Sequence, residues 1–226
     1  MYERLNGLFN PEELNILNMA NILLVGVGGV GSFCFEVLIR SGIKNITIAD
    51  FDTYENTNLN RQLHSNWKVM GMKKVDVLKE VAYVISKDLN VSVIDEKISK
   101  ESNIDFSKFD YIIDACDDIE AKVFLINKAF ENNVKIISSL GVGNRVDPSK
   151  IVKTKLSKTF NDPLAKKLRS TLKKEGFTKD LNVIFSTELP IKSKVVSSYI
   201  GVSGVAGMML ADYVVKDLVN DKDRAN

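Results

Sequence analysis

Ile22–Gly31 (ILLVGVGGVG) carries an apolar run into Gly26-x-Gly28-x-x-Gly31. A strand that breaks on such a turn and opens a helix brings backbone N–H groups close to a polyphosphate, so the segment reads as the start of a nucleotide site. Asp50 follows nineteen residues after the last glycine, where a dinucleotide enzyme holds a ribose. Taken alone, the glycines and Asp50 favour a dinucleotide. Arg61 and Lys74, with Asp117 further on, reverse that preference. Two cations and a carboxylate able to hold Mg²⁺ suit a triphosphate whose α-phosphorus is attacked, because the departing pyrophosphate must be neutralised. ATP fits these residues better than NAD.

Each residue also has a plainer reading. The glycines could serve helix–strand packing alone, and Asp50 could be a turn or capping residue. Asn58, Gln62 and Lys74 are residue types that, taken singly, are more often solvated than functional. Arg61 is stronger, because a planar guanidinium donates in pairs to phosphate oxygens. Asp114 could simply end a strand, and Asp117 and Asp118 follow it. The cluster, rather than any one member, carries the nucleotide reading.

These groups need a frame that gathers the ends of several strands. Asn10–Met19 reads as a short helix, with Asn10 as N-cap, Pro11 in its first turn and Glu12 and Glu13 facing the helix dipole. Ile22–Val25 and Ile46–Ala49 read as strands flanking an amphipathic helix over Ser32–Ser41, a spacing that implies a right-handed crossover between parallel strands. The alternation continues with a helix near Lys73–Ser86, strands near Val91–Asp95 and Tyr111–Ala115, a helix near Ala121–Asn132 and a strand Lys135–Ser139. Beyond Gly141 the regularity fails. Ile151–Leu156 alternates as a strand, Asp162–Lys174 is a basic helix, and Val183–Ser186 is again a strand. Ser203–Val219 places Val205, Met208, Met209 and Val214 at helical spacing, with Gly204 and Gly207 permitting close approach. The expected fold is α/β: a Rossmann-like, doubly wound, mostly parallel sheet with a basic insert and a C-terminal covering helix. In such a sheet, ligand groups collect at the carboxyl ends of the strands.

At 226 residues and 45% hydrophobic content, the chain can bury one substantial core. It is read as a single domain over residues 1–226, with the basic insert at 148–182 inside it. The net charge of +2 hides an uneven distribution. Residues 148–179 hold 10 Lys and Arg against 2 Asp and Glu, whereas residues 1–147 hold 16 against 21. The first nineteen residues lack the basic start and apolar run of a secretory signal, and no apolar stretch approaches the ~18–20 residues that cross a bilayer. Two cysteines, Cys34 and Cys116, cannot supply the paired CxxC motifs of a structural zinc site, and His64 is the only histidine. That argues against zinc hydrolysis and most histidine-based catalysis. Cys34 and Cys116 are expected to be buried, reduced thiols, and a soluble cytoplasmic protein is expected. His64 could touch substrate, although a lone histidine in a turn is more often structural.

Four of these motifs, Gly26–Gly31, Asp50–Gln62 (DFDTYENTNLNRQ), Lys74 and Asp114–Asp118 (DACDD), resemble the ubiquitin-activating-enzyme-like superfamily of carboxylate adenylating enzymes. GVGNRVDPSKI (Gly141–Ile151), KTFNDPLAKKLR (Lys158–Arg169), VIFSTELP (Val183–Pro190) and the closing glycine-rich helix are similar to its tRNA threonylcarbamoyladenosine dehydratase branch. The resemblance implies ATP and Mg²⁺ as cofactors, tRNA as substrate and a homodimer. It leaves open a monovalent cation and a sulfur-relay partner. It implies that Gly28 and Gly29 line the phosphates within the Gly26–Gly31 turn, and that Asp50 holds the ATP ribose. Asn58, Arg61, Gln62 and Lys74 would contact phosphates or the leaving group, Asp117 would be the Mg²⁺ carboxylate, and Arg4 would reach ATP across the dimer. Asp118 stands where the wider superfamily commonly has asparagine, which puts a specific role for it in doubt. With a tRNA-modifying relative in view, Lys158, Lys166, Lys167 and Arg169 are expected to bind the phosphate backbone.

The implied chemistry is adenylation of a threonyl carboxylate, followed by closure through the carbamoyl group of the same substituent. Proximity makes an enzyme thiol unnecessary for that closure. Two alternatives stand beside it: adenylation of the C-terminus of a sulfur-carrier or ubiquitin-like protein, and a nicotinamide-dependent oxidoreductase. The first often uses CxxC pairs, a catalytic cysteine or a rhodanese extension, and none of these is expected from this sequence. Cys116 beside Asp117 invites comparison with a thioester cysteine, although a buried strand-end thiol is the stronger reading.

Overall fold

The computed structural model describes residues 2–220. Seven strands form one sheet in the order β3-β2-β1-β4-β5-β7-β6. They are β1 (Asn21–Val25), β2 (Asn45–Ala49), β3 (Asn90–Ile94), β4 (Tyr111–Asp114), β5 (Lys135–Ser139), β6 (Ile151–Lys155) and β7 (Asn182–Ser186). The first five and β7 run parallel, and β6 lies antiparallel to β7 at the edge. The order reverses at β1, whose neighbours are β2 on one side and β4 on the other. A reversal of this kind opens a crevice at the carboxyl ends of the strands, which fixes where a ligand can sit.

Among the described residues, six α-helices cover the sheet: α1 (Pro11–Met19), α2 (Gly31–Arg40), α3 (Lys74–Ile85), α4 (Ile119–Glu131), α5 (Pro163–Lys174) and α6 (Ile200–Val219). Asn10 caps α1 as its sequence foretells, its side chain accepting from Glu13 N while the Glu13 carboxylate accepts from Asn10 N. Two apolar layers result. Ile22, Leu24, Ile46, Ile48 and Ile113 face α1, α2, α3 and α6 on one side. Leu23, Val25, Ile112, Val183 and Phe185 face α4 and α5 on the other. Because β1 is buried on both faces, its whole apolar run is needed.

The segment expected as an insert is built into this sheet. It contributes the edge strand β6 and the helix α5, whose Ala165, Leu168 and Leu172 are buried in the second layer while its lysines face outward. Burying a leucine side chain is worth about 1.5–3 kcal/mol, enough for this strongly amphipathic helix to dock despite its charge. Helix α6 begins at Ile200, three residues before the start expected from its apolar spacing, and packs on α2, with Gly207 facing the Val30 carbonyl at the crossing. Among the described residues, no helix is long and apolar enough to cross a membrane.

Candidate active site

The carboxyl ends of β1, β2, β4 and β5 open into a cleft of about 610 Å³. Its lining includes Gly26, Gly28, Gly29, Asp50, Asn58, Arg61, Gln62, Lys74 and Asp117. Residues far apart in the sequence are therefore brought to one wall and floor. Gly26 has φ +85°, and a Cβ there would lie 2.8 Å from the Ala115 carbonyl and from Cys116 N. Only glycine meets both demands, so the turn rests directly on the peptide that follows β4. Gly31 differs from its expected role. It is buried, does not line the cleft, and a Cβ on it would overlap the Gly26 carbonyl oxygen. It lets α2 start against the turn, so that Gly28, Gly29 and Val30 face the cleft at a helix N-terminus, where anions are favoured.

Asp50 follows β2 and accepts from Val27 N at 2.8 Å through one carboxylate oxygen and from Asp52 N at 2.9 Å through the other. It therefore braces the glycine turn while lining the cleft. Asn58 is buried; its Oδ1 accepts from Glu55 N, fixing the short turn Asn56–Asn58. That turn presents Arg61, whose stem lies over Gly29 and whose Nη1 donates to the Thr57 carbonyl at 2.5 Å and to Asn60 Oδ1 at 3.1 Å. Lys74 opens α3 with its side chain 5% exposed, its Nζ 2.6 Å from Asp52 Oδ2. Asp52 was not singled out from the sequence, although it lines the cleft two residues after Asp50.

Asp117 is exposed at the cleft, on the loop between β4 and α4. Asp118 has a structural role: its Oδ1 caps α4 by accepting from Glu120 N and Ala121 N, and its Oδ2 lies 2.8 Å from Lys97 Nζ. The bond from Lys97, then the α4 amides, hold its carboxyl below the usual carboxylate range. His64 packs beside α2, its Nε2 3.4 Å from Glu36 Oε2, and it is absent from the cleft lining.

Beneath this surface lies an ion pair not anticipated from the sequence. Asp114 and Lys122 are fully buried, and Lys122 Nζ donates to Asp114 Oδ1 at 3.1 Å, to Asp114 Oδ2 at 3.0 Å and to the Ser139 carbonyl at 2.7 Å. Burial opposes the lysine's charge, but the Asp114 carboxylate and its neighbours outweigh it and leave the ammonium less acidic than usual. Asp114 also accepts from Cys116 N at 3.2 Å and from the Cys116 thiol at 3.0 Å. Burial, with the adjacent Asp114 carboxylate, pushes the Cys116 thiol well above its ordinary value. It stays protonated at neutral pH, the opposite of what a nucleophile needs. Iodoacetamide at about neutral pH is accordingly expected to spare Cys116 in the native protein and to alkylate it only after denaturation, as read by peptide mass spectrometry. Rapid labelling of the folded chain at Cys116 would contradict this.

The far side of the cleft is lined by the loop Gly141–Arg145, by Asp162–Leu164 at the start of α5, and by Pro190, Val196 and Ser198. Arg145, another residue the sequence did not flag, ties these segments by donating to the carbonyls of Glu188, Gly143 and Asn161, each at 3.1 Å. Lys158, Lys166 and Lys167 are exposed on the outer surface of this region. Arg169 differs from them. It is half-buried, and its Nη1 donates to the Leu156 and Thr159 carbonyls and to Thr159 Oγ1, bracing the turn before α5. Arg4 sits on the exposed turn Glu3–Leu5, outside the cleft lining.

A doubly wound sheet with a glycine turn, cations and an exposed carboxylate at its switch point is the architecture of a nucleotide-binding α/β protein. The chain belongs to the ThiF family, whose model matches residues 2–226. It is 36% identical over 231 aligned residues to the tRNA threonylcarbamoyladenosine dehydratase of Bacillus subtilis, covering 93% of this chain and 91% of that protein. Among solved structures, it is similar to Escherichia coli tRNA N6-threonylcarbamoyladenosine dehydratase in complex with AMP, with TM-score 0.92, 31% identity and coverage of 98% of this chain and 94% of that one. The same enzyme in complex with ATP gives TM-score 0.91 at 30% identity, covering 100% of this chain and 96% of that one.

Proposed function

We propose that this chain is an ATP-dependent enzyme that dehydrates threonylcarbamoyladenosine in tRNA to its cyclic form by adenylating the threonyl carboxylate. The observation that carries this is the convergence of Gly28, Gly29, Asp50, Asn58, Arg61, Gln62, Lys74 and Asp117 on one cleft. The cleft also fits a polar ligand in its bonding: Gln62 Oε1 and Ser139 Oγ, both on lining residues, are buried without hydrogen-bond partners. Buried polar atoms of this kind are costly unless a ligand or water satisfies them.

In this reading the glycine turn and Gln62 hold the phosphates, Asp50 the ribose, and Arg61 and Lys74 stabilise charge as pyrophosphate separates. Lys74 is held in place for this by Asp52. Among the described residues, no group of three or more His, Cys, Asp and Glu is placed to hold a metal. Mg²⁺, which binds readily through one carboxylate plus substrate phosphates, would be held by Asp117 and the nucleotide and would supply further charge neutralisation. The exposed Lys158, Lys166 and Lys167 contact tRNA phosphates on the outer surface. Arg4 serves the cleft of a second copy in a homodimer, and the enzyme works in the cytoplasm. Adenylation of a carrier protein, the nearest alternative, often uses a CxxC pair or a reactive cysteine, whereas this sequence has no CxxC pair and its Cys116 thiol is held protonated.

Thermal melting tests the nucleotide assignment. MgATP at about 100 times its Kd is expected to add about 2.7 kcal/mol to stability and so raise the melting temperature, whereas NAD⁺ or NADH leaves it unchanged. Stabilisation by NADH without stabilisation by MgATP would overturn the adenylation reading in favour of a dehydrogenase.

A further inference from the structure

Asp114 and Lys122 do not line the cleft, yet they lie directly beneath it. A dry ion pair is a poor device for stability, because desolvation consumes most of the attraction; apolar residues of the same volume often do as well or better. Its connections suggest another use. Lys122 has its N–H donors placed on Asp114 and on the Ser139 carbonyl, so it locks the end of β4 to the end of β5. Asp114 in turn accepts from Cys116 N, fixing the peptide that leads into Asp117. That same Ala115–Cys116 peptide is the surface on which the Gly26 turn rests, so close that a Cβ at Gly26 would come within 2.8 Å of it. On the other side of Asp117, Asp118 is pinned by the first turn of α4, the helix that carries Lys122.

We propose that Lys122 is a positioning residue for the adenylation step: through Asp114 it sets the Ala115–Cys116 peptide, and with it the relative placement of the Gly26 turn and Asp117. The inference rests on the assignment of Asp117 as the Mg²⁺ carboxylate. It explains why a buried charge pair occupies a place where a leucine or methionine would pack. Residues that orient a metal-binding group typically contribute to metal affinity without touching the metal.

The test uses the full-length protein with Lys122→Met and with the double variant Asp114→Asn/Lys122→Met, which removes both charges and leaves none buried alone. MgCl₂ is titrated at saturating ATP with tRNA bearing threonylcarbamoyladenosine, and a thermal melt checks that each variant is folded. The folded variants are expected to need about 10–100-fold more Mg²⁺ for half-maximal turnover than wild type. Should the single variant fail to fold, the double variant decides. A folded double variant with wild-type Mg²⁺ dependence and turnover would overturn the proposal and leave the pair a purely structural feature. If wild type itself forms no cyclic product, the functional reading fails separately. Positioning is then read from the Mg²⁺ dependence of ATP binding by calorimetry, where the same shift supports it and an unchanged dependence rejects it.

Discussion

Replacing Asp117 with alanine is expected to lower turnover by about 10²–10³-fold, the range seen when one electrostatic contact to developing charge is removed. The melting temperature of the nucleotide-free protein should stay close to that of wild type. The two expectations separate because of where the side chain lies. Asp117 is exposed at the cleft between two anchored neighbours, Cys116 held by Asp114 and Asp118 capping α4. Exposed substitutions away from packing and caps usually change stability by no more than about 0.5 kcal/mol. Steady-state assays over a range of Mg²⁺, with a parallel melt, check both. Unimpaired turnover by Asp117→Ala would remove the metal carboxylate from the scheme.

Arg61→Ala should be comparably severe, with kcat/KM for ATP falling about 10²–10³-fold on the same ground. The guanidinium is oriented by the chain itself, since its stem lies along Gly29 and its Nη1 is fixed by the Thr57 carbonyl and Asn60 Oδ1. Lysine at this position keeps the charge but loses the planar fork, so Arg61→Lys should recover only part of the activity. Full rescue by lysine would mean that Arg61 acts as a point charge. Wild-type kinetics in Arg61→Ala would mean that it does not face the phosphates during the reaction.

The parts of the fold that could be read from the sequence are those set by local pattern. Apolar runs of strand length, the Asn10 cap and the amphipathic spacing over Ser32–Ser41 each specify an element without knowledge of its neighbours. The gathering of these residues in one cleft was legible for the same reason: a doubly wound sheet brings strand ends together, so Asp50 and Asp117 must approach the glycine turn once the alternation is recognised. What escaped depends on contacts that no local pattern encodes. Lys122 reads as an ordinary helix lysine until β4 and β5 close over it, and Asp114 as a strand terminator. Gly31 matches a phosphate motif but serves the approach of α2 to its own turn. Arg169 shares a basic run with Lys166 and Lys167, and only the fold of the turn at Leu156–Thr159 draws it inward. The antiparallel β6 was readable as a strand, but its direction follows from pairing with β7, the next strand, beyond the intervening α5.

The most direct test is conversion itself. Purified protein, MgATP and tRNA carrying threonylcarbamoyladenosine are incubated together, the tRNA is digested to nucleosides under conditions that preserve the cyclic form, and the products are weighed by mass spectrometry alongside assays for AMP and pyrophosphate. The account predicts a nucleoside lighter by one water, with one AMP and one pyrophosphate released per ring closed. Unaltered threonylcarbamoyladenosine, with active nucleotide-binding protein that instead adenylates a carrier protein's C-terminus, would contradict it.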